Sequence, residues 1–303
     1  MIMDADSPAM TLRAAIRAGT TVLSAAGVES PGLNAEELVA YTVGRPRLQV
    51  LLRLDDSLDA RQIDRLESLL ERRARREPLQ HLVGTTAFLE HEICVTRDVL
   101  IPRPETECLA REALHLLDRM QVPNPSVLDF GTGSGCLAIS IASGFRGSKV
   151  HALDLSLPAL DVARVNADRN GVADRVQFHQ GDGFAALHSA TPPGHARLQF
   201  DLIVSNPPYI PTAVIQSLDP EVRDFDPRAA LDGGIDGLSF YRRLSTEAAG
   251  WLKPEGWMAM EFGDDQAPGL TAIFIANNWR DRRLEKDLSG RDRILIVRSP
   301  GGS

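Results

Sequence analysis

The hydrophobic pattern changes period partway along the chain. From Thr11 to about Glu77 apolar residues recur at helical spacing. Ile63, Leu66 and Leu70 share one helix face, while Arg61, Asp64, Glu67 and Arg72 fall elsewhere. Leu58-Asp59 followed by Gln62 and Ile63 has the form of a capping box with its hydrophobic staple, and Asn34-Ala-Glu-Glu37 between Leu33 and Leu38 repeats that form. A small helical bundle is predicted over residues 1–77. It closes on ERRARRE, whose Arg72, Arg73, Arg75 and Arg76 read as a solvated helix end favoured by the helix dipole, with a partner-docking patch as the alternative. Residues 78–99 read as a linker and short hairpin, with a turn at Gly84 and strand-like spacing in AFLEHEICV.

From residue 100 a proline-rich turn, LIPRPETE, leads into an amphipathic helix, and after Ser126 the texture switches. Short apolar strands at 127–130, 150–155, 176–179, 200–204, 257–262 and 294–297 alternate with helical segments. This alternation predicts an α/β domain over residues 100–303, a mostly parallel sheet with helices on both faces, whose ligands bind at the carboxyl ends of the strands.

Composition narrows the class. A chain of 303 residues, 43% hydrophobic and 24% charged, is ordinary for a soluble globular protein. Its net charge of −8 repels a phosphate backbone, so direct nucleic-acid binding is not expected. Cys94, Cys108 and Cys136 fit neither a disulfide framework nor a metal site. The opening MIMDADSPAM lacks the basic-then-apolar build of a signal peptide, and no run approaches the roughly 20 apolar residues of a membrane span. A cytoplasmic monomer without membrane or metal partners is expected.

Candidate chemistry gathers at the strand ends. The first strand runs into VLDFGTGSG, where Gly131, Thr132, Gly133, Ser134 and Gly135 form a strand-to-helix turn that lets the backbone lie against a ligand beside unpaired helix N–H groups. The GxGxG spacing differs from the dinucleotide fingerprint and does not name the ligand. Asp154 ends the second strand, where a carboxylate accepts hydrogen bonds from ribose hydroxyls or caps the next helix. Asp182-Gly183 ends the third; it suits an adenine amino group and ring, or is simply a turn. The fourth delivers Asn206-Pro207-Pro208-Tyr209. Two prolines remove two N–H donors and fix φ, leaving the carbonyls of Asn206 and Pro207 as acceptors without competing donors. With the Asn206 amide and the Tyr209 ring, the corner suits a planar NH2 group. His81, His91 and His179 read as surface or packing residues, since no histidine lies in these motifs.

GTGSG, the acidic strand end and NPPY resemble the class I S-adenosylmethionine-dependent methyltransferases that modify planar amide or amino nitrogens. LIPRPETE, DPRAALDGGIDGLSFYRRL and the helical segments AEELVAYTVG and EPLQHLVG resemble, more narrowly, the N(5)-glutamine methyltransferases of peptide chain release factors. The likeness runs from residue 12 to residue 297. The sister family acting on a large-subunit ribosomal protein has PRSP where this chain has Pro102-Arg103-Pro104-Glu105. The resemblance implies a seven-stranded sheet with an antiparallel last strand and S-adenosyl-L-methionine as cofactor. It implies that residues 131–135 and Asp154 hold the cofactor with Asn206, that Asp182 and Gly183 lie beside the adenine, and that Asn206, Pro207, Pro208 and Tyr209 surround a substrate glutamine. The partner implied is a class I release factor, methylated in its Gly-Gly-Gln loop, with the helical bundle a candidate docking surface. The alternative reading is N6-adenine methylation of DNA or RNA, which needs the same corner for an NH2 group. A nucleotide-binding protein without methyl transfer would leave NPPY unexplained.

Overall fold

The computed structural model describes residues 10–188 and 197–300, so the reading of the first nine residues lies outside it. The chain divides into two compact units, one comprising the chain up to Gly84 together with Asp219–Phe225, the other Thr85–Leu218 and the chain from Asp226 onward.

The helical unit holds α1 (Leu12–Ala25), α2 (Pro31–Val43), α3 (Arg47–Leu51), α4 (Ala60–Ala74) and α5 (Leu79–Val83) around Leu23, Leu38, Val39, Val50, Leu66 and Leu70. α4 begins with the expected capping box: Asp59 Oδ1 accepts from Gln62 N at 2.8 Å, and Gln62 Oε1 from Asp59 N at 3.0 Å. The capping box expected at Asn34 is absent. α2 starts at Pro31, the favoured first helical residue, so Asn34 is already inside the helix, buried and donating to the carbonyls of Glu29 and Ser30. ERRARRE is solvated only in part: Arg72 and Arg75 are exposed as expected, but Arg73 and Arg76 turn inward. Arg73 is only 5% exposed and donates to Asn34 Oδ1, the Glu77 carbonyl and Glu221, while Arg76 donates to the same Glu221 carboxylate at 2.6 Å. Two arginines thus hold the helical turn Pro220–Arg223 to the unit.

The sheet unit begins with a hairpin, β1 (Thr85–Phe88) and β2 (His91–Cys94), followed by α6 (Pro104–Met120), which carries proline at its first position. Then come β3 (Ser126–Phe130), α7 (Cys136–Gly144), β4 (Lys149–Asp154), α8 (Leu157–Arg169), β5 (Val176–Gln180), β6 (Phe200–Ser205), α9 (Ser239–Glu247), β7 (Leu252–Glu261), α10 (Ala267–Ala276), β8 (Arg280–Lys286) and β9 (Asp292–Arg298). The seven-stranded sheet has the order β5-β4-β3-β6-β7-β9-β8, parallel except that β9 runs antiparallel to β7 and β8. One face packs against α6, α7 and α8 through Leu109, Leu117 and Ile139; the other holds Phe184, Tyr241, Trp251, Phe274 and Trp279. The hairpin is fastened by the Asn166 side chain of α8, which bonds both the N–H and the carbonyl of Cys94. His179 is a packing residue, stacked on His151 with ring nitrogens 2.9 Å apart. β8 has no counterpart among the apolar runs because its sequence, RDRRLEK, belongs to an exposed sheet edge.

Strand order reverses between β3 and β6, the point where open α/β sheets form a ligand crevice. Asp129 of β3 pairs in register with Val204 of β6, so the glycine turn and Asn206 leave the sheet side by side.

Candidate active site

The glycine turn after β3 is tied down from both sides. The N–H groups of Gly131 and Thr132 reach the Leu153 carbonyl at 2.8 and 3.0 Å, and Gly133 N–H reaches Asp154 Oδ2 at 2.9 Å. Gly131, Gly133 and Gly135 all have left-handed φ. At Gly135 a Cβ would also lie 3.1 Å from the Ala163 methyl, so glycine lets α7 pack closely on α8. Asp129, beneath the turn, accepts from Thr132 Oγ1 at 2.6 Å and from Ala138 N at 3.1 Å. Burial pushes its carboxyl up to about 7 despite these bonds.

Against this turn lies a cavity of about 330 Å³. Gly131, Thr132, Gly133, Ser134, Asp154, Asp182, Gly183, Asn206 and Pro208 form its wall with Arg103, Thr106, Phe130 and Phe240. Gly135, Pro207 and Tyr209 lie off the wall. Asp154 is not the cap of α8, a role taken by Ser156, whose side chain accepts from Ala159 N. Each Asp154 oxygen accepts one backbone N–H, from Gly133 or Ser156, and a carboxylate oxygen retains a second lone pair for a ligand hydroxyl. At Asp182 the carboxylate is engaged by the Arg243 guanidinium, which occupies the space a Cβ on Gly183 would need.

NPPY is held from three directions. Ser205 Oγ donates to the Phe130 carbonyl at 2.7 Å, joining the ends of β6 and β3. Asn206 Nδ2 donates to Thr106 Oγ1 at 2.9 Å, and Thr106 donates to Glu261 Oε2 at 2.7 Å. The Tyr209 hydroxyl lies 3.4 Å from Glu261 Oε1, while its carbonyl accepts from Gln266 Nε2 at 2.8 Å. The following residues lock against LDGGIDG: Ile210 N–H reaches the Leu231 carbonyl and Gly233 N–H reaches the Ile210 carbonyl. At Gly237 a Cβ would come within 2.2 Å of the Tyr209 carbonyl oxygen, so this close approach requires glycine. Nearby, Asp226 is buried and receives Arg103 at 2.6 Å.

Glu261 sits at the end of β7 with no solvent exposure. Burial raises its carboxyl to about 7, opposed by the Thr106 hydrogen bond and the Arg293 charge. Burial, and next the Glu261 charge, push the Tyr209 phenol up as well. Sequence reasoning missed Glu261, Thr106, Asp129 and Arg243. A signal existed for Glu261: an acid inside the apolar run MAMEF is a buried charge that needs partners.

An acceptor-lined corner, a glycine cradle and a carboxylate at one switch point thus share a single cavity, and the kinship of the chain can be set beside that geometry. The family model described as PrmC N-terminal domain matches residues 14–84, and that described as ribosomal protein L11 methyltransferase (PrmA) matches residues 109–229. The release factor glutamine methyltransferase of Geobacter sulfurreducens is 40% identical over 273 residues, covering 90% of this chain and 91% of that one. Its counterpart from Caulobacter vibrioides is 39% identical over 292 residues, covering 96% and 98%. Among solved structures, the hMettl16 catalytic domain in complex with MAT2A 3′UTR hairpin 6 is similar with a TM-score of 0.52 at 14% identity, over 70% of this chain and 76% of that one, a likeness of fold alone. Identity of this level, sustained from the helical bundle to the last strand, makes the chain a member of the release factor glutamine methyltransferase family.

Proposed function

We propose that this chain transfers a methyl group from S-adenosylmethionine to the side-chain amide nitrogen of a glutamine in class I peptide chain release factors, the glutamine of their Gly-Gly-Gln loop. The observation that carries the reading is Asn206 and Pro208 on the wall of the same cavity as Gly131, Gly133 and Asp154. When bound, the sulfonium cofactor supplies an electrophilic methyl group. The glycine turn would hold its adenosyl part, and the remaining lone pairs of Asp154 would accept from the ribose hydroxyls. Arg243, which engages Asp182 and fills the space beside Gly183, would border the adenine end.

The difficulty lies in the substrate. A glutamine amide nitrogen is a poor nucleophile because its lone pair is delocalised into the carbonyl. Asn206, on the cavity wall, offers its Oδ1 and its backbone carbonyl to the two N–H hydrogens, favouring a pyramidal nitrogen with its lone pair free for attack. The proton is lost after transfer, so no base is required before attack. We place the enzyme in the cytoplasm, acting as a monomer, with the helical unit as a docking surface for the release factor. No described helix is long and apolar enough to cross a membrane. The test is incubation with S-adenosylmethionine and a release factor, followed by mass spectrometry. One added methyl on one glutamine is expected; label appearing only in nucleic acid would overturn the reading.

A further inference from the structure

Three side chains link the buried end of β7 to the cavity. Glu261 accepts from the Thr106 hydroxyl, and Thr106 accepts from Asn206 Nδ2. An ionised carboxylate carries no proton, so it only accepts. Thr106 has one hydroxyl proton, and at 2.7 Å that proton is given to Glu261 Oε2. Its oxygen is then left only to accept, which selects the NH2 side of Asn206. An amide carries donor and acceptor on opposite arms of one carbon. With Nδ2 turned to Thr106, Oδ1 is left for the cavity whose wall Asn206 forms.

We infer that Glu261, acting through the Thr106 hydroxyl, sets which end of the Asn206 amide meets the substrate, so that Glu261 and Thr106 are positioning residues for methyl transfer. The inference rests on the functional reading above. Reversed, Asn206 would present its NH2 to the NH2 of the substrate glutamine, two donors facing each other.

The groups around Glu261 bear on its ionisation. Arg293 of β9 favours the carboxylate, and its guanidinium donates to the Phe262 carbonyl at 2.9 Å. Glu105 of α6 opposes the charge; Thr106 of α6 and the Tyr209 hydroxyl stabilise it, and Tyr241 of α9 donates to the Glu261 carbonyl. Burial outweighs the favourable contacts and leaves the carboxyl titrating near 7. Protonated on Oε2, Glu261 donates to Thr106, whose hydroxyl is then free to turn toward Asn206 and favour the reversed amide.

The test measures kcat and KM for methyl transfer to an intact release factor by the full chain, with cofactor binding measured separately. E261Q imitates the protonated state and is expected to lose about a hundredfold in kcat while binding the cofactor normally. N206D alone places two carboxylates around a threonine that has one proton to give, and is also expected to be slow. Combined, the two changes reverse the whole chain of donors: the new amide donates to Thr106, Thr106 donates to the new carboxylate, and its second oxygen faces the substrate. The double variant is therefore expected to exceed the product of the single effects by about tenfold. T106V, which keeps the shape without the hydroxyl, should lose about tenfold or more in kcat, while T106S stays near wild type. The rise of wild-type kcat through pH 7 should vanish in E261Q. These arms do not depend on any one variant folding. Multiplicative single effects in the double variant, equal activity of T106V and T106S, or an unchanged pH limb in E261Q would overturn the inference with wild-type transfer intact. A wild-type enzyme that fails to methylate release factor would overturn the functional reading, and this inference with it.

Discussion

At the scale of single residues, the cavity predicts a separation of roles. Asn206 belongs to its wall and has its amide held by Thr106, whereas Asp154, also on the wall, holds the N–H groups of Gly133 and Ser156. Asn206→Ala is expected to lower kcat by about two orders of magnitude with cofactor affinity nearly unchanged, since it removes an acceptor used as the reacting nitrogen changes shape. Asp154→Ala should weaken cofactor binding about tenfold or more, because it removes a charged hydrogen-bond acceptor and loosens the glycine turn. Calorimetric titration with cofactor and single-turnover kinetics distinguish the two; equal loss of cofactor binding in both would contradict the division. Asn206 and Asp154 were legible because each stands beside a local signal, a proline pair or a strand end. Thr106 and Glu261 were not, because their contact joins positions 155 residues apart; Thr106 lies within LIPRPETE, but nothing in that motif points to its partner on β7.

Elements show why pattern reading succeeds in a sheet core and fails at its margins. β3 and β6 are buried throughout or nearly so and read as continuous apolar runs, as internal parallel strands do. β8 has one sheet neighbour and an exposed face, and its alternation of Arg, Asp, Leu and Glu resembles any surface segment. ERRARRE was legible by half for a different reason: a charge run is usually solvated, as Arg72 and Arg75 are, and only the return of Glu221 to the helical unit makes Arg73 and Arg76 partners. Burial raises the Glu221 carboxyl, yet the bonds from Arg76 and Arg73 outweigh it and hold the pKa below the usual range. Glu221→Ala would leave Arg73, 5% exposed, without its counter-charge, and is expected to cost the helical unit about 3 kcal/mol. Denaturant unfolding measures that loss, and limited proteolysis should find new cleavage within 219–225. Because the acid is depressed in the fold, its contribution is present near neutrality and disappears as pH falls below the usual carboxylate range.

For the molecule as a whole, a mostly parallel sheet and the meeting of four strand ends followed from the βα alternation, while the order of the strands and the balance of buried charge did not. Asp129 and Glu261 both titrate near 7 because burial disfavours their ionised forms. Between the ordinary carboxylate range and 7 the folded chain keeps protons the unfolded chain has released, so these groups make stability fall as pH rises. His151 has the opposite sense: burial, with His179 and Lys149 nearby, lowers it to about 4, and burial lowers His179 too. A folded chain that has released those protons gains stability as pH rises toward 6.5. The two pairs therefore act on stability in opposite senses between pH 5 and 6.5. A single substitution unmasks the slope. E261Q removes one carboxyl but not the histidines, so its stability relative to wild type should increase by about 2 kcal/mol from pH 5 to 7 and level off about a unit above 7. Melting curves collected at half-unit intervals would show it. Parallel curves for the two proteins would mean that Glu261 ionises in the fold as readily as in the unfolded chain, leaving the pH limb of catalysis without a source at this residue.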